Sequence, residues 1–129
     1  MGRFEILTKY IEPLKNEKEY GYSVNREGKR VTKEEDLYYY DENNTKVYYF
    51  PSYKYSDTVM SFIHDLVNFR FSAKKEEISS LENARTIISS LRKPMVADRF
   101  CGGLLLQAFK SGHILKLLER LKEIDESQN

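Results

Sequence analysis

This chain has no tryptophan, a single cysteine and only two histidines. One cysteine cannot close an internal disulfide, so packing must hold the fold, and such usage points to a reducing, cytoplasmic compartment. His64, His113 and Cys101 match no zinc-like spacing, so neither a metal nor a cofactor is expected. Charge of one sign is missing too. Lys plus Arg number 21 against 20 Asp plus Glu, a net of +1, which argues against a dominant nucleic-acid or membrane field. No apolar run approaches the ~20 residues needed to cross a bilayer. The opening Met1-Gly2-Arg3-Phe4-Glu5 lacks the apolar stretch of a signal peptide. Gly2 begins a myristoylation-like frame, but Ile6 stands where Ser or Thr is needed. No membrane partner is expected.

The length of 129 residues suits one domain with its own hydrophobic core. The expectation is a single domain over 1–129, with 124–129 as a frayed tail. Ile6, Leu7, Tyr10, Ile11 and Leu14 share one helical face, so the pattern predicts a helix from residue 3, ended near Glu12 by Pro13. Residues 16–36 read as a polar loop with a short strand at Tyr20–Val24. Tyr38–Tyr40 and Val47–Phe50 flank Asp41-Glu42-Asn43-Asn44, a hairpin layout. Two strands alone are marginal in water, so this pair is expected to lie on the helices.

Ser56 or Asp57 suits an N-cap, and Val59, Phe62, Ile63, Leu66 and Val67 follow at helical spacing. Ser79 and Glu82 spell a capping box ahead of Leu81, Ala84, Ile87, Ile88 and Leu91. Pro94 suits the first position of a further helix. Leu104–Phe109 starts another, Gly112 closes it, and Ile114, Leu115, Leu117, Leu118, Leu121 and Ile124 define the last. The expected fold is mainly α, about five helices with a short β-hairpin or extended Tyr-rich segment; α+β is the alternative. The expected core is Ile6, Tyr10, Phe62, Ile63, Leu66, Ile87, Ile88, Leu91, Leu104, Leu105, Phe109, Leu117, Leu118 and Leu121.

Asp98-Arg99-Phe100-Cys101-Gly102-Gly103 interrupts this helical text with residues that helix building does not require. With the two helices after it, residues 96–124 resemble a family of small bacterial and phage-borne proteins known only as a domain of unknown function. The hallmark of that family is an Arg-Gly-Glu-Arg-Phe-Cys-Asp-Gly-like block followed by an apolar helix, a Gly and a Leu-rich helix. Arg99, Phe100, Cys101 and Gly103 match it, and Asp98 stands for its Glu. Val96 and Ala97 replace its Arg-Gly, and Gly102 replaces its Asp. A weaker match covers 50–66. The resemblance implies fold and site position but no activity.

Candidate binding residues are Asp98, Arg99 and Cys101 in this block, with Tyr48, Tyr53 and Tyr55 from the tyrosine-rich segment. The Arg99 fork suits a phosphate or carboxylate, and equally the free carbonyls of a broken helix end. Seven tyrosines between 38 and 55 suit a sheet face over helices, a protein interface or stacking on unpaired bases. No residue is assigned as catalytic. The expected function is a non-enzymatic protein-interaction module, in the family's context a phage or mobile-element modulator of a host process. The first alternative is a nucleic-acid binder using the basic 70–99 stretch. The second is a small enzyme around Asp98, Arg99 and Cys101.

Overall fold

A computed structural model describes residues 2–50, 52–71, 78–99 and 102–127. Among the described residues there are six α-helices: α1 (Glu5–Thr8), α2 (Ile11–Lys15), α3 (Asp57–Asn68), α4 (Ile78–Asp98), α5 (Leu104–Lys110) and α6 (His113–Ser127). Between α2 and α3 lie β1 (Gly21–Val24), a 3-10 turn at Glu34–Leu37, β2 (Tyr38–Tyr40), β3 (Lys46–Tyr48) and β4 (Ser52–Tyr55). The architecture is mainly α with a short β part.

Pro13 breaks the first helix, but upstream of itself. A prolyl ring at 13 cannot bond the Lys9 carbonyl and would crowd it. The chain therefore stops α1 at Thr8 and restarts at Ile11. Pro13 then sits in the first turn of α2, where its missing N–H would have had no helical partner anyway. The two short helices still present one stripe, Phe4, Leu7, Ile11 and Leu14, all buried.

Ser56 caps α3 as expected, its Oγ accepting the Val59 N–H at 3.2 Å and donating to Glu17 Oε2 at 3.1 Å. Ser79, by contrast, is already inside α4 and cannot be its cap. Pro94 lies within the same helix rather than opening a new one. An interior proline costs about 3 kcal/mol. Buried Ile87, Ile88 and Leu91 on the same helix, at roughly 1.5–3 kcal/mol each, outweigh that cost.

The expected hairpin forms, with Tyr38 opposite Tyr48 and Tyr40 opposite Lys46. Asp41 builds its turn by accepting the N–H groups of Asn43 and Thr45 at 3.0 and 2.9 Å. A second antiparallel pair joins β1 to β4, Gly21 opposite Tyr55. Among the described residues it is this second pair that meets the helical core, through Tyr55 of β4 and Tyr20 just ahead of β1. Among the described residues no hairpin side chain joins the helical core as expected; its rings pack on one another instead.

The core gathers around α6, which packs against α4, α1, α5 and α2. Ile114, Leu117, Leu118 and Leu121 are buried there. Two expected core residues are exposed, Ile6 at 46% and Leu104 at 44%, and two more, Tyr10 and Ile63, are partly buried against the core. Ile6 and Leu104 each lie one residue, about 100° of helix, from the true inward positions, Leu7 and Leu105. The last helix also continues past the expected boundary to Ser127. Asp125, placed by the sequence in a tail, is 8% exposed, and its Oδ2 accepts the Phe4 N–H at 2.9 Å.

Truncating Leu7 to Ala should cost about 2–5 kcal/mol, against about 1 kcal/mol or less for Ile6→Ala. Urea unfolding of both variants reads the difference, and equal losses would mean that the α1 register is wrong.

Candidate functional site

α4 ends at Asp98 and α5 begins at Leu104, so the chain must turn within a few residues. Gly103 makes the turn at φ +98°, a conformation that side chains with a Cβ avoid. Space demands glycine as well, since a Cβ there would sit 2.7 Å from the Tyr53 hydroxyl. Asp98 Oδ1 accepts the N–H of Gly103 at 2.8 Å and of Leu105 at 3.2 Å. It thereby satisfies donors at the start of α5 that the helix itself cannot pair.

Tyr55 completes this cluster. Its hydroxyl oxygen is sealed from solvent and, among the described residues, makes no hydrogen bond of good geometry. Its pKa is pushed up to about 12, first by burial and then by the Asp98 and Tyr53 charges, with a weak Leu106 backbone contact pulling the other way. The structure thus brings Asp98, Tyr53 and Tyr55 together at the α4–α5 junction. Arg99 is exposed beside it, and among the described residues its guanidinium makes no hydrogen bond or ion pair. Cys101 and Phe100 lie outside the described residues. Tyr48 is elsewhere, on the hairpin.

A polar cavity of about 390 Å³ opens next to Tyr53 and Gly103, bounded by Tyr22, Arg30, Gln107 and Lys110. Arg30 is brought there by a bridge from its backbone to Val24. Its guanidinium forks onto Glu19, with Nη1 to Oε1 at 3.0 Å and a closer Nη2 contact, and stacks 4.5 Å over Tyr22. The hydrogen bonds to Glu19 are the main cause of its raised pKa. The sequence did not single out Glu19, Tyr22 or Arg30, because the ion-pair partners stand eleven positions apart in a stretch with no periodic pattern.

The most exposed aromatic surface is the hairpin. Alternation places Tyr38, Tyr40, Lys46 and Tyr48 on one face. The Tyr38 ring meets those of Tyr40 and Tyr48 at 5.7 and 5.8 Å. Lys46 Nζ lies 4.0 Å from the centre of Tyr38 and 5.4 Å from that of Tyr48, and its pKa is raised chiefly by the Tyr48 hydroxyl. Tyr40 and Tyr48 remain 58% and 57% exposed, and Phe50 beyond them 98%. Phe50 and Lys46 were missed as site residues. The available signal for Phe50 was the following Pro51, which holds its neighbour in an extended conformation.

Among the described residues no three His, Cys, Asp or Glu side chains converge to hold a metal ion. His64 contacts Asn68 one turn away, and His113 is exposed.

Replacing Asp98 by Ala should cost about 1–2 kcal/mol through the lost cap, with Asp98→Asn closer to wild type; equal stability of wild type and Ala in chemical denaturation would contradict the capping role. Alkaline stability follows from the tyrosines. Tyr10 is also pushed up to about 12, by burial and by its hydrogen bond to Asp65, whereas an unfolded tyrosine ionises near ~10. The folded state then holds protons that the unfolded state releases, so this stability is complete below pH ~10 and lost as pH rises toward 12. A Tyr10→Phe/Tyr55→Phe variant should show a shallower loss across that window than wild type, measured by urea titrations at fixed pH.

The model of a family of unknown function, DUF6508, matches residues 7–127. No curated protein and no solved structure matches the chain. The matched span covers nearly all of α1 through α6 and includes the Asp98–Gly103 block that carried the resemblance. The chain therefore belongs to DUF6508, a family of unknown function.

Proposed function

We propose that this chain is a non-enzymatic protein-interaction module whose contact surface is the tyrosine face of the β2–β3 hairpin. The observation that carries this reading is the exposure of Tyr40 and Tyr48 around the Tyr38 ring, with Phe50 exposed just past β3. Tyrosine combines large apolar area with a polar tip and few torsions to freeze, which suits it to protein interfaces. Contiguous exposed aromatics are also costly to leave in water unless a partner covers them.

The nucleic-acid reading needs the basic residues of 70–99 to share a surface with such rings. Arg70 and Arg92 instead spend donors on carbonyls at the end of α3 and just past it: Arg70 on Val67 and Phe69, Arg92 on Leu66 and Phe69, at 2.8–2.9 Å for the shortest contacts. Lys74 and Lys75 lie outside the described residues. The hairpin is flanked by Glu34, Glu35, Asp36, Asp41 and Glu42, which repel a phosphate backbone.

The test is capture from nuclease-treated host lysate by wild type, Tyr40→Ala/Tyr48→Ala and Arg99→Ala. A specific protein should survive nuclease and fall at least tenfold with the double tyrosine variant, in line with the cost of losing interface tyrosines. Capture that disappears on nuclease treatment, or that ignores the tyrosine changes, would refute the reading.

A further inference from the structure

A groove of about 690 Å³ runs along the outer side of α4, far larger than the cavity beside Tyr53. Arg85, Ile88, Ser89, Arg92 and Val96 line it. Their spacing of i, i+3, i+4, i+7 and i+11 is one face of a helix over three turns, a length of about 17 Å. The floor is apolar. Ile88 is 1% exposed and Val96 54% exposed, with Phe71 and Ala97 beside them. Ser89 and Ala97 are small, which lets another backbone approach closely.

The rim is cationic. Arg85, Arg92 and Lys93 line the groove, and no acidic residue does among the described ones. None of the three is paired with a carboxylate among the described residues. Arg85 lies 5.1 Å from the centre of the Phe71 ring. Arg92 is fixed by its bonds to the Leu66 and Phe69 carbonyls. Both charges are thus held in position before anything binds, so less order is lost on binding.

We propose that this groove receives an acidic amphipathic helix of a partner protein, about three turns long. Its apolar residues, at i, i+3 or i+4 and i+7, would lie on Val96, Phe71 and Ala97, above the buried Ile88. Its flanking Asp or Glu side chains would face Arg85, Arg92 and Lys93. Three features support a helix over other ligands: the three-turn length of the lining, its apolar residues, and a positive rim that meets no carboxylate among the described residues. The inference is independent of the hairpin reading, since the two surfaces share no residue.

The test uses a fluorescein-labelled synthetic peptide of three helical turns, Leu on one face and Glu on both flanks. Its companion has Lys in place of every Glu. By fluorescence anisotropy the acidic peptide should bind at least tenfold more tightly than the basic one, with the preference fading at high salt. Arg85 and Lys93 are exposed, so Arg85→Glu/Lys93→Glu should fold normally by circular dichroism and lose or reverse the preference. Amide shifts on peptide addition should map to residues 85–97 and spare 38–50. Tyr40→Ala/Tyr48→Ala should bind the peptide like wild type, which separates failure here from failure of the hairpin reading. Equal affinity for both peptides, no binding of either, or an unchanged preference in the charge-reversed variant would overturn the proposal.

Discussion

The rest of the fold depends on the burial of α6 against α4, α5 and the N-terminal helices. Ile114, Leu117, Leu118 and Leu121 enter the same core as Phe4, Leu7, Ile11 and Leu14. The two stripes lie a hundred residues apart in sequence, so their meeting must overcome a large loop-closure cost. Asp125 fixes the register of that meeting. Its carboxylate accepts the Phe4 N–H, and a side chain on Gly2 would run into it. A buried carboxylate is tolerated only where donors reach it, so the final turn of α6 and the first turn of α1 have little freedom to slide.

From that base the α4–α5 junction follows. α5 is only seven residues long, too short to be stable by itself. It is held by Phe109 and Leu105 in the core and by Asp98 on its first donors. The acid that stands for the Glu of the family block is therefore engaged in folding, while Arg99 beside it is exposed. The same short motif carries one residue with a structural task and one whose guanidinium makes no hydrogen bond or ion pair among the described residues.

Much of this was legible in sequence where one physical rule acted alone. The α3 cap, the Gly112 stop and the hairpin turn are local features, set by capping oxygens, left-handed glycine and Asp41. The prolines misled in two ways: Pro94, read as the first residue of a further helix, was kept inside α4 by tertiary burial, and the break expected at Pro13 came upstream of it. Ile6 and Leu104 misled because apolar residues next to an inward position look equivalent until the helix phase is known. The β1–β4 pairing and the Arg30–Glu19 fork were invisible because their partners are far apart in the chain, and no periodicity records such contacts. Asp98 and Tyr55 were identified as candidates, but their meeting was not, for the same reason.

The two proposed contact surfaces differ in how the protein supports them. The α4 groove is part of the core: its floor residue Ile88 is buried, and Arg92 is bonded to α3. The hairpin is not. Two strands without backing are marginal in water, and here the ring contacts of Tyr38 with Tyr40 and Tyr48, plus Lys46 across them, replace helical support. Such edge-to-face pairs add only about 0.5–1.5 kcal/mol each. The hairpin should consequently open more readily than the core, and a partner that covers the rings would stabilise it further. A rigid cationic groove selects a partner by shape and charge, whereas a self-supported aromatic hairpin can adjust to one. The fold carries both because their stabilities are set by different contacts, α6 and its neighbours in one case and the tyrosines themselves in the other.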